Sequence, residues 1–323
     1  MKSKFILVSY FVLICSAIFG QSTDANKIEI AVGGSFAKPK IVPKLEKLGI
    51  AQITINYKLS STAKALGKDG STGVVAGAKI SGYLETTDGE LAESDFQEIS
   101  DYFYSYFQKK LKANNIDTVG WATITATDFY KNGSEKESDK KGGTENSWIT
   151  NSAHKGNQLY GGNIVFAFGK IKKAAHFSED IGAPAGYFYL TVDFADLLVD
   201  VDIKTTKESN MFYSKSTQRN KYSWAVKPQM KVVPNKMGLS LLWNEKSQGE
   251  SLVLKGELDG AVNFADAVTE DASKMKNSMW AFRKELKPVV IETTKAKYKA
   301  AAKAALEKYA DAFVEKCRQL KKD

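Results

Sequence analysis

The chain has 323 residues, of which 43% are hydrophobic and 26% charged, and its formal net charge is +9. This composition is typical of a folded globular protein with a sizeable core, and it excludes collagenous, coiled-coil and disordered chains. Two cysteines and two histidines exclude a disulfide scaffold and a cysteine-rich zinc site, and they leave little room for a metal centre built from histidine.

The first twenty residues predict a secretory signal peptide. Lys2 and Lys4 precede an apolar run over residues 5–19, and the chain becomes polar after Gly20. A short basic region, an apolar stretch and a small residue before a polar segment are the features of a cleavable signal. The run is shorter than the roughly 18 residues that a membrane-spanning helix needs. We therefore expect cleavage after Gly20 and a periplasmic, outer-membrane-associated or secreted protein, rather than an uncleaved anchor or a buried helix.

The cysteines add one further expectation. Cys15 follows Ile14, which is larger than the small residue that a bacterial lipidation site requires, so we expect Cys15 to be removed with the signal. Cys317 then remains as the one cysteine of the mature chain. It could pair between chains or stay a buried thiol.

Alternation of apolar and polar residues predicts half-buried antiparallel strands in the first part of the chain. The alternating segments are residues 28–32, 53–59 and 74–84. The last segment runs into Thr87-Asp88-Gly89, which is typical of a tight turn. We therefore expect three strands before residue 90.

The apolar spacing changes to that of a helix after Glu93. One helical face holds Phe96, Ile99, Phe103, Phe107 and Leu111. Asn114-Asn115 is expected to end this helix. Alternation then resumes at residues 121–127, for which we expect another strand.

Residues 131–158 form a long polar stretch with almost no apolar side chain. A stretch of this length within a compact domain is typical of a functional loop, and it is equally a candidate boundary between two halves of the chain. The predicted organisation is a signal peptide at 1–20, an α+β first half at 21–130, the polar loop or linker at 131–158, antiparallel strands at 159–264 and C-terminal helices at 265–323.

The second half returns to alternation, at residues 164–168, 226–232, 239–243 and 252–264. Pro228 lies inside one of these segments and has no backbone N–H for a ladder, so that strand is expected at a sheet edge or a bulge. Between Tyr187 and Lys204 the apolar residues change from even to odd positions. Such a change indicates an extra residue, and we predict a bulge or sharp bend at Ala195-Asp196.

Two amphipathic helices are predicted at the C-terminus. The first begins at about Asp266 and reaches Leu286, before Pro288, with apolar residues at steps of three and four. The second begins near Thr294 and has apolar residues on one face and lysines opposite. Their narrow apolar stripes predict packing on the sheet, on each other or on a partner.

Most of the positive charge lies in the last helix. Removing Lys2 and Lys4 with the signal leaves +7, and residues 295–323 contribute +5 of this from nine basic and four acidic residues. Because the excess lies on one element without a nucleic-acid-binding motif, we expect no nucleic acid partner. We interpret the basic face as a contact with an anionic envelope surface or partner, and a solvated helix face as the alternative. The partner-binding candidates are Lys295, Lys299, Lys303, Lys316 and Arg318.

Motifs that carry chemistry are scarce. The chain has no phosphate-binding glycine loop and no nucleophile elbow, and neither histidine lies in a pattern that positions a triad, so we predict no catalytic residue and no cofactor. Asp200 and Asp202 share one face of a predicted strand and are the best candidates for a Mg²⁺ or Ca²⁺ site or for acid–base work. Lys204 lies on the same face, so the alternative is a strand with one solvated side.

The order of elements resembles one group of envelope proteins. An early strand (IEIAVGGSF) is followed by a helix that leads into another strand (SDFQEISDYFYSYFQKKLKANNIDTVGWATI), then by later strands and a closing helix. This order is similar to that of the periplasmic and outer-membrane assembly factors of the curli-secretion lipoprotein type. The resemblance implies an assembly or interaction role, and it carries no residue-level motif. Ile14 before Cys15 departs from the lipid-anchor site of that group.

These observations predict an α+β protein with a large, mostly antiparallel sheet, one internal helix and two C-terminal amphipathic helices. The expected function is that of an exported, non-enzymatic protein that binds another macromolecule. One alternative is a carrier of a lipid or other apolar ligand, and a third is a hydrolase that depends on the aspartates of the 193–202 segment. An unfilled apolar cavity would favour the carrier, and a filled core would favour the binding protein.

Overall fold

The computed structural model of the chain describes residues 22–32, 38–69, 75–131, 140–142, 146–154, 176–209, 214–235, 240–246, 248–275 and 283–322. The predicted signal peptide at residues 1–20 and the predicted strand at residues 164–168 lie outside these ranges. No helix within them is both long enough and apolar enough to cross a membrane.

Within these ranges the protein has the predicted α+β fold, with two long helices and two sheets. Residues 176–180 are helical, and short 3₁₀ turns lie at Val42–Lys44 and Ala272–Lys274. The other described helices are α1 (Ser22–Ala25), α2 (Glu93–Ala113), α3 (Trp121–Ala126), α4 (Asp128–Lys131) and α5 (Lys295–Lys322).

The strands differ widely in length, from two residues to 25. They are β1 (Ile28–Val32), β2 (Lys47–Lys58), β3 (Ser60–Lys68), β4 (Val75–Thr86), β5 (Asp117–Thr118), β6 (Lys140–Gly142), β7 (Ser147–Ser152), β8 (Ala185–Ser209), β9 (Ser214–Val233), β10 (Ser240–Trp243), β11 (Gly249–Leu254), β12 (Leu258–Asp259), β13 (Ala267–Glu270), β14 (Arg283–Glu285) and β15 (Val289–Thr293).

Ten strands form the large sheet, and most of its neighbours are antiparallel, as predicted. Its order is β1-β11-β10-β8-β2-β7-β6. Strand β9 pairs with residues 191–209 of β8 and also with β12. The exceptions are β5 and β8, which both run parallel to β2. A central parallel pair is usually buried on both faces, and nearly every residue of β2 is buried.

Helices α2 and α5 cover one face of this sheet. Phe107 of α2, Phe188 of β8 and Phe313 of α5 meet in edge-to-face contacts, with ring centroids 5.0, 5.4 and 5.7 Å apart. All three rings are fully or almost fully buried. The space between the sheet and the two helices is therefore filled by interlocking aromatic side chains, which is the arrangement that close-packed protein cores require.

The second sheet has five described strands. It packs on residues 197–203 of β8 and residues 222–226 of β9. Within it β3 is antiparallel to β4, β14 and β15 run parallel to β4 along its other edge, and β13 pairs with β15. The two sheets approach closely at Gly67, where a Cβ atom would lie 2.5 Å from the carbonyl oxygen of Val201. Only glycine allows this approach.

The structure confirms the strands predicted at residues 28–32, 53–59 and 74–84 and the helix that follows them. Asn115 has a φ of 57°, the left-handed conformation in which asparagine commonly ends a helix. The predicted turn before α2 contains Gly89, whose φ is 103°. Local sequence chemistry therefore predicted these elements and the end of the helix. It did not predict β3, and β2 begins at Lys47, six residues before the predicted segment.

The first of the two predicted C-terminal helices is wrong. Residues 267–270 form β13, residues 272–274 a 3₁₀ turn and residues 283–285 β14, while residues 276–282 lie outside the described ranges. Val268 and Met275, two apolar positions of the expected stripe, are exposed. The backbone of β13 pairs instead with β15, so a non-local ladder replaced the local helical spacing.

The strand predicted at residues 121–127 is also wrong, because this segment forms α3. Trp121 and Ile124 are three residues apart and both pack into the apolar cluster behind the large sheet, whereas Thr123 is exposed. Spacing by three fits one helical face. The alternation of threonine with apolar residues suggested a repeat of two residues, whereas the residues that pack inward are three apart, as in a helix.

The polar stretch at residues 131–158 is not a loop throughout, since it contains β6 and β7. Strand β7 pairs with β2, and its buried polar side chains are hydrogen-bonded: Ser152 to Thr54 and Thr150 to Asn56. A polar strand can be buried when its side chains find such partners. Sequence alternation could not reveal it, because the strand has few apolar residues.

The irregularity predicted at Ala195-Asp196 lies between Asp193 and Ala195, and Pro228 borders it on β9. Two steps along β8 correspond to three steps along β9, from Lys231 to Pro228, so the extra residue belongs to β9. Because the extra residue is on β9, the change of apolar parity along β8 has a different cause from the predicted bulge. Even-numbered residues of β8 pack under the helices up to position 194, and odd-numbered residues pack on the second sheet from position 197.

Candidate interaction surface

The far parts of β8 and β9 form a two-stranded ribbon, here defined as residues 196–206 and 217–227. Strand β2 last pairs with β8 at Val192, so β9 is the only described strand that pairs with β8 beyond that point. Strand β9 has a second neighbour, β12, only at Lys231 and Val232. Within the described chain, the outer edge of β9 along the ribbon is therefore without a strand partner.

The inner face of the ribbon is apolar and packs on the second sheet. Val201 is buried there among the alanines of β3 and β4, and Leu197, Val199, Ile203, Tyr222 and Val226 surround it. Alternation of side chains along each strand places the remaining residues on the opposite face. The ribbon thus gains its stability from one face and leaves the other in solvent.

The outer face of the ribbon is polar, with one large apolar side chain. Leu198 is 65% exposed. Asp196 on this face bonds Lys231 at the base of the ribbon. The other charged residues of the face form no ion pair with any described residue, and they are Asp200, Asp202, Lys204, Arg219, Lys221 and Lys227. On the opposite face Trp224, which lies across from Val199 beside the free edge of β9, is 38% exposed.

The predicted metal pair lies on this outer face. Asp200 is opposite Ser223 and Asp202 is opposite Lys221, and both aspartates are exposed. Among the described residues, no group of three or more histidine, cysteine, aspartate or glutamate side chains is placed to hold a metal ion. The pair therefore has the geometry of the alternative interpretation, a strand with one solvated side.

Residues 226–232 of β9 were predicted as a strand, but β9 was not predicted as a functional site, although its composition contains a signal. Over Ser214–Val233 it has five basic residues and no acidic residue. Three of the five, Arg219, Lys221 and Lys227, are exposed on the outer face of the ribbon. A charge count over residues 214–233 would have found this stripe, which the net charge of the whole chain does not reveal.

Most of the basic residues predicted on α5 are paired within the chain. Helix α5 runs parallel to α2, and the α2 acids face the α5 lysines: Asp95 lies 3.9 Å from Lys295 and 3.4 Å from Lys299. Glu98 bonds Lys299 at 2.7 Å and Lys303 at 2.6 Å. These lysines lower the pKa of Glu98.

The remaining two candidates lie near the end of α5. Arg318 pairs with Glu315 of the same helix at 2.7 Å, whereas Lys316 is half-buried with no ion-pair partner within the described chain. Cys317 beside them is a buried free thiol, and burial raises its pKa to about 12. Four of the five predicted partner-binding residues thus hold carboxylates of their own chain.

A charged cluster at the base of the ribbon was missed from the sequence. Lys231 is almost fully buried and bonds both Asp196 and Glu257. Its burial lowers the pKa of the ammonium group, but the two carboxylates outweigh this and raise it. Lys58 and Asp193 pair beside it. Because each buried charge has a partner, the cluster fits a structural role at the bulge.

Among the described residues, the two histidines contact a carboxylate and two aromatic rings. His176 is exposed and contacts Glu179. His154 stacks on Trp121 with ring centroids 4.1 Å apart and meets Tyr104 edge-on at 4.3 Å, and burial lowers the pKa of its imidazole. The chain matches no protein-family model, no curated protein and no solved structure, so its own geometry is the basis for assigning a function.

Proposed function

We propose that this is an exported, non-enzymatic protein that acts by binding another macromolecule, and that the ribbon is its contact surface. Two observations carry the proposal. Leu198 is exposed on the outer face beside charges that have no ion-pair partner within the described chain, and Trp224 is exposed on the inner face at the edge of β9. Large apolar side chains exposed among charged residues are typical of protein-contact surfaces.

The packing of the core supports this function over that of an apolar-ligand carrier. A carrier needs an apolar cavity that its own side chains leave open. In the described chain, Phe107, Phe188 and Phe313 fill the space between the large sheet and its helices. The resemblance in element order to the curli-secretion assembly factors also implies a role in binding another macromolecule.

The placement of the aspartates supports binding over hydrolysis. Asp200 and Asp202 are exposed and lie among basic side chains. A carboxylate that acts as a general acid usually has its pKa raised by burial. On the ribbon these carboxylates instead contribute to the charge pattern of a polar surface.

Site-specific photo-crosslinking in the native cells would test the proposal. A benzophenone amino acid would replace Leu198 or Trp224 in the full chain, and Val268, which is 42% exposed on β13, would be the matched control position. We expect a discrete covalent adduct of higher mass from positions 198 and 224 and none from position 268. Equal adducts at all three positions, or none at the ribbon, would contradict the proposed contact surface.

A further inference from the structure

We infer that the free edge of β9 accepts an extended acidic segment of a partner polypeptide as an additional strand. This inference rests on the proposed function and specifies its partner. An unpaired strand edge presents a row of backbone N–H and C=O groups, and a peptide that adds to it gains main-chain hydrogen bonds. Residues 217–227 of β9 extend over about 35 Å at the usual rise for each residue.

The edge has a defined end at the base of the ribbon. Pro228 and the register shift beside it interrupt the ladder, and β12 occupies the edge from Lys231 onward. Natural proteins protect edge strands with prolines, bulges and lysines. In the described chain the proline and the bulge stand at the end of the edge, and the residues before them have no strand partner. The basic side chains on those residues would repel a second basic strand but attract an acidic one.

The charge of β9 selects an acidic partner. Arg219, Lys221 and Lys227 project from the outer face, and the strand has no acidic residue. An added strand would lie about 5 Å from β9 but about 10 Å from Asp200 and Asp202 on β8, because strands in a sheet are separated by about 4.8 Å. Its side chains would therefore meet the basic stripe directly, and the aspartates would lie one strand further away.

The inner side of the edge favours apolar residues at the alternate positions. Trp224 is partly exposed there, and Tyr222 packs beside it under the ammonium group of Lys284, 5.0 Å from the ring centroid. Successive side chains of a strand point to opposite faces. The expected partner segment thus alternates acidic with apolar residues over about ten positions.

A synthetic peptide of five Glu-Val repeats, with blocked ends, would test this inference on the full chain in about 0.1 M salt. We expect it to bind, as measured by fluorescence anisotropy, and the corresponding Lys-Val peptide not to bind. The double variant Arg219→Glu/Lys221→Glu should bind about tenfold or more weakly, because two attractive cross-strand pairs become repulsive. Lys204→Glu, a single charge reversal one strand away, should weaken binding by about threefold or less.

Backbone methylation distinguishes strand addition from simple charge attraction. In an antiparallel pair, alternate residues of a strand direct their N–H groups to the same neighbour. Two further peptides would carry N-methyl groups on all valines or on all glutamates, and we expect only one of the two to lose binding. Equal binding of both methylated peptides, or of the acidic and basic peptides, would overturn the inference.

Self-association through this edge would also overturn it. We therefore expect sedimentation velocity of the full chain to show a monomer. A dimer that the Arg219→Glu/Lys221→Glu variant dissociates would indicate self-association through the edge. Circular dichroism should show that both variants are folded. The proposed function can fail separately. Adducts from positions 198 and 224 without peptide binding would refute the acidic strand alone, and peptide binding without adducts in cells would refute the proposed contact surface.

Discussion

Gly260, which follows β12, lies close against the backbone of α5. A Cβ atom at this position would lie 2.7 Å from the backbone nitrogen of Ala305 and 3.1 Å from the carbonyl carbon of Ala304. Both atoms belong to the backbone of a buried helix, which cannot move aside without repacking. The glycine is therefore required by space rather than by its own backbone conformation.

We expect Gly260→Ala to destabilise the protein by about 1–3 kcal/mol, the usual cost of overpacking a core. Gly120→Ala is the matched control, because no atom lies within 4 Å of its Cβ position, and we expect it to cost less than about 1 kcal/mol. Urea unfolding followed by circular dichroism would measure both. Equal effects of the two substitutions would show that the contact with α5 is unimportant.

Glu250 shows how a single buried residue can organise a segment far away in the chain. Its carboxylate accepts hydrogen bonds from the backbone N–H groups of Lys40, Ile41 and Val42, the last two at 2.6 and 3.0 Å. These bonds satisfy donors at the start of a 3₁₀ turn that has no intrinsic partner for them. Glu250 lies in β11, some 200 residues away, so no local pattern could have predicted it.

At the scale of elements, the pairing of α2 with α5 explains the unusual start of α5. Its first turns contain Lys295, Lys297 and Lys299 and no acidic residue. Cations at a helix N-terminus oppose the helix dipole. The parallel arrangement brings the acidic first turns of α2 alongside, and Asp95 and Glu98 there pair with Lys295 and Lys299. Lys297 pairs instead with Asp266.

This pairing makes stability depend on pH through Glu98. Because its folded-state pKa is lowered from the ordinary value of 4.5, its contribution is fully present above about pH 4.5 and is lost as the pH falls through the lowered value. The side chain is 48% exposed, so we expect less than about 1 kcal/mol.

Glu98→Gln should remove this contribution and reduce the loss of stability between pH 6 and pH 3. Glu46→Gln, at an exposed residue with no ion pair in the described chain, is the control and should leave the pH dependence unchanged. Thermal unfolding across this pH range would measure the difference. If Glu98→Gln and wild type had the same pH profile, the α2–α5 ion pairs would contribute nothing measurable.

The elements also show where periodicity succeeds and where it fails. Helix α2 and strand β4 have long, regular patterns, and both lie where the sequence predicted them. The segments at 121–127 and 266–286 have patterns of similar appearance, but their apolar residues are sparse or exposed. Short or weak patterns are decided by non-local packing, and β13 forms because β15 is available to it.

At the scale of the whole molecule, α5 is part of the common core and not an appendage. Eleven of its residues are buried, and Phe313 contacts rings from both α2 and β8. A basic terminal helix that served only to contact a partner would not be buried in this way. Carboxylates of α2 pair with several of the basic residues of α5. The basic residues of β9 form a second region of positive charge, which the net charge of the C-terminal helix does not reveal.

We expect Phe313→Ala to destabilise the whole molecule by about 3–5 kcal/mol, as is usual for truncating a buried phenylalanine. Phe313→Leu, which retains most of the volume, should cost distinctly less. Far-ultraviolet circular dichroism and tryptophan fluorescence should report one coincident transition for each variant. Two separate transitions would instead identify α5 as an independently unfolding element.

The sequence by itself determined the α+β class, the alternating strands of the first part of the chain and helix α2 with its end at Asn115, because local periodicity and turn chemistry specify which face of a segment is buried. Only the tertiary structure decided that β2 and β8 run parallel, that the α5 lysines pair with α2 and that the ribbon edge of β9 has no strand partner in the described chain. These features depend on contacts between residues far apart in the chain, and such contacts leave no periodic signal. The candidate interaction surface therefore became visible only when the neighbours of each strand and the partner of each charge were known.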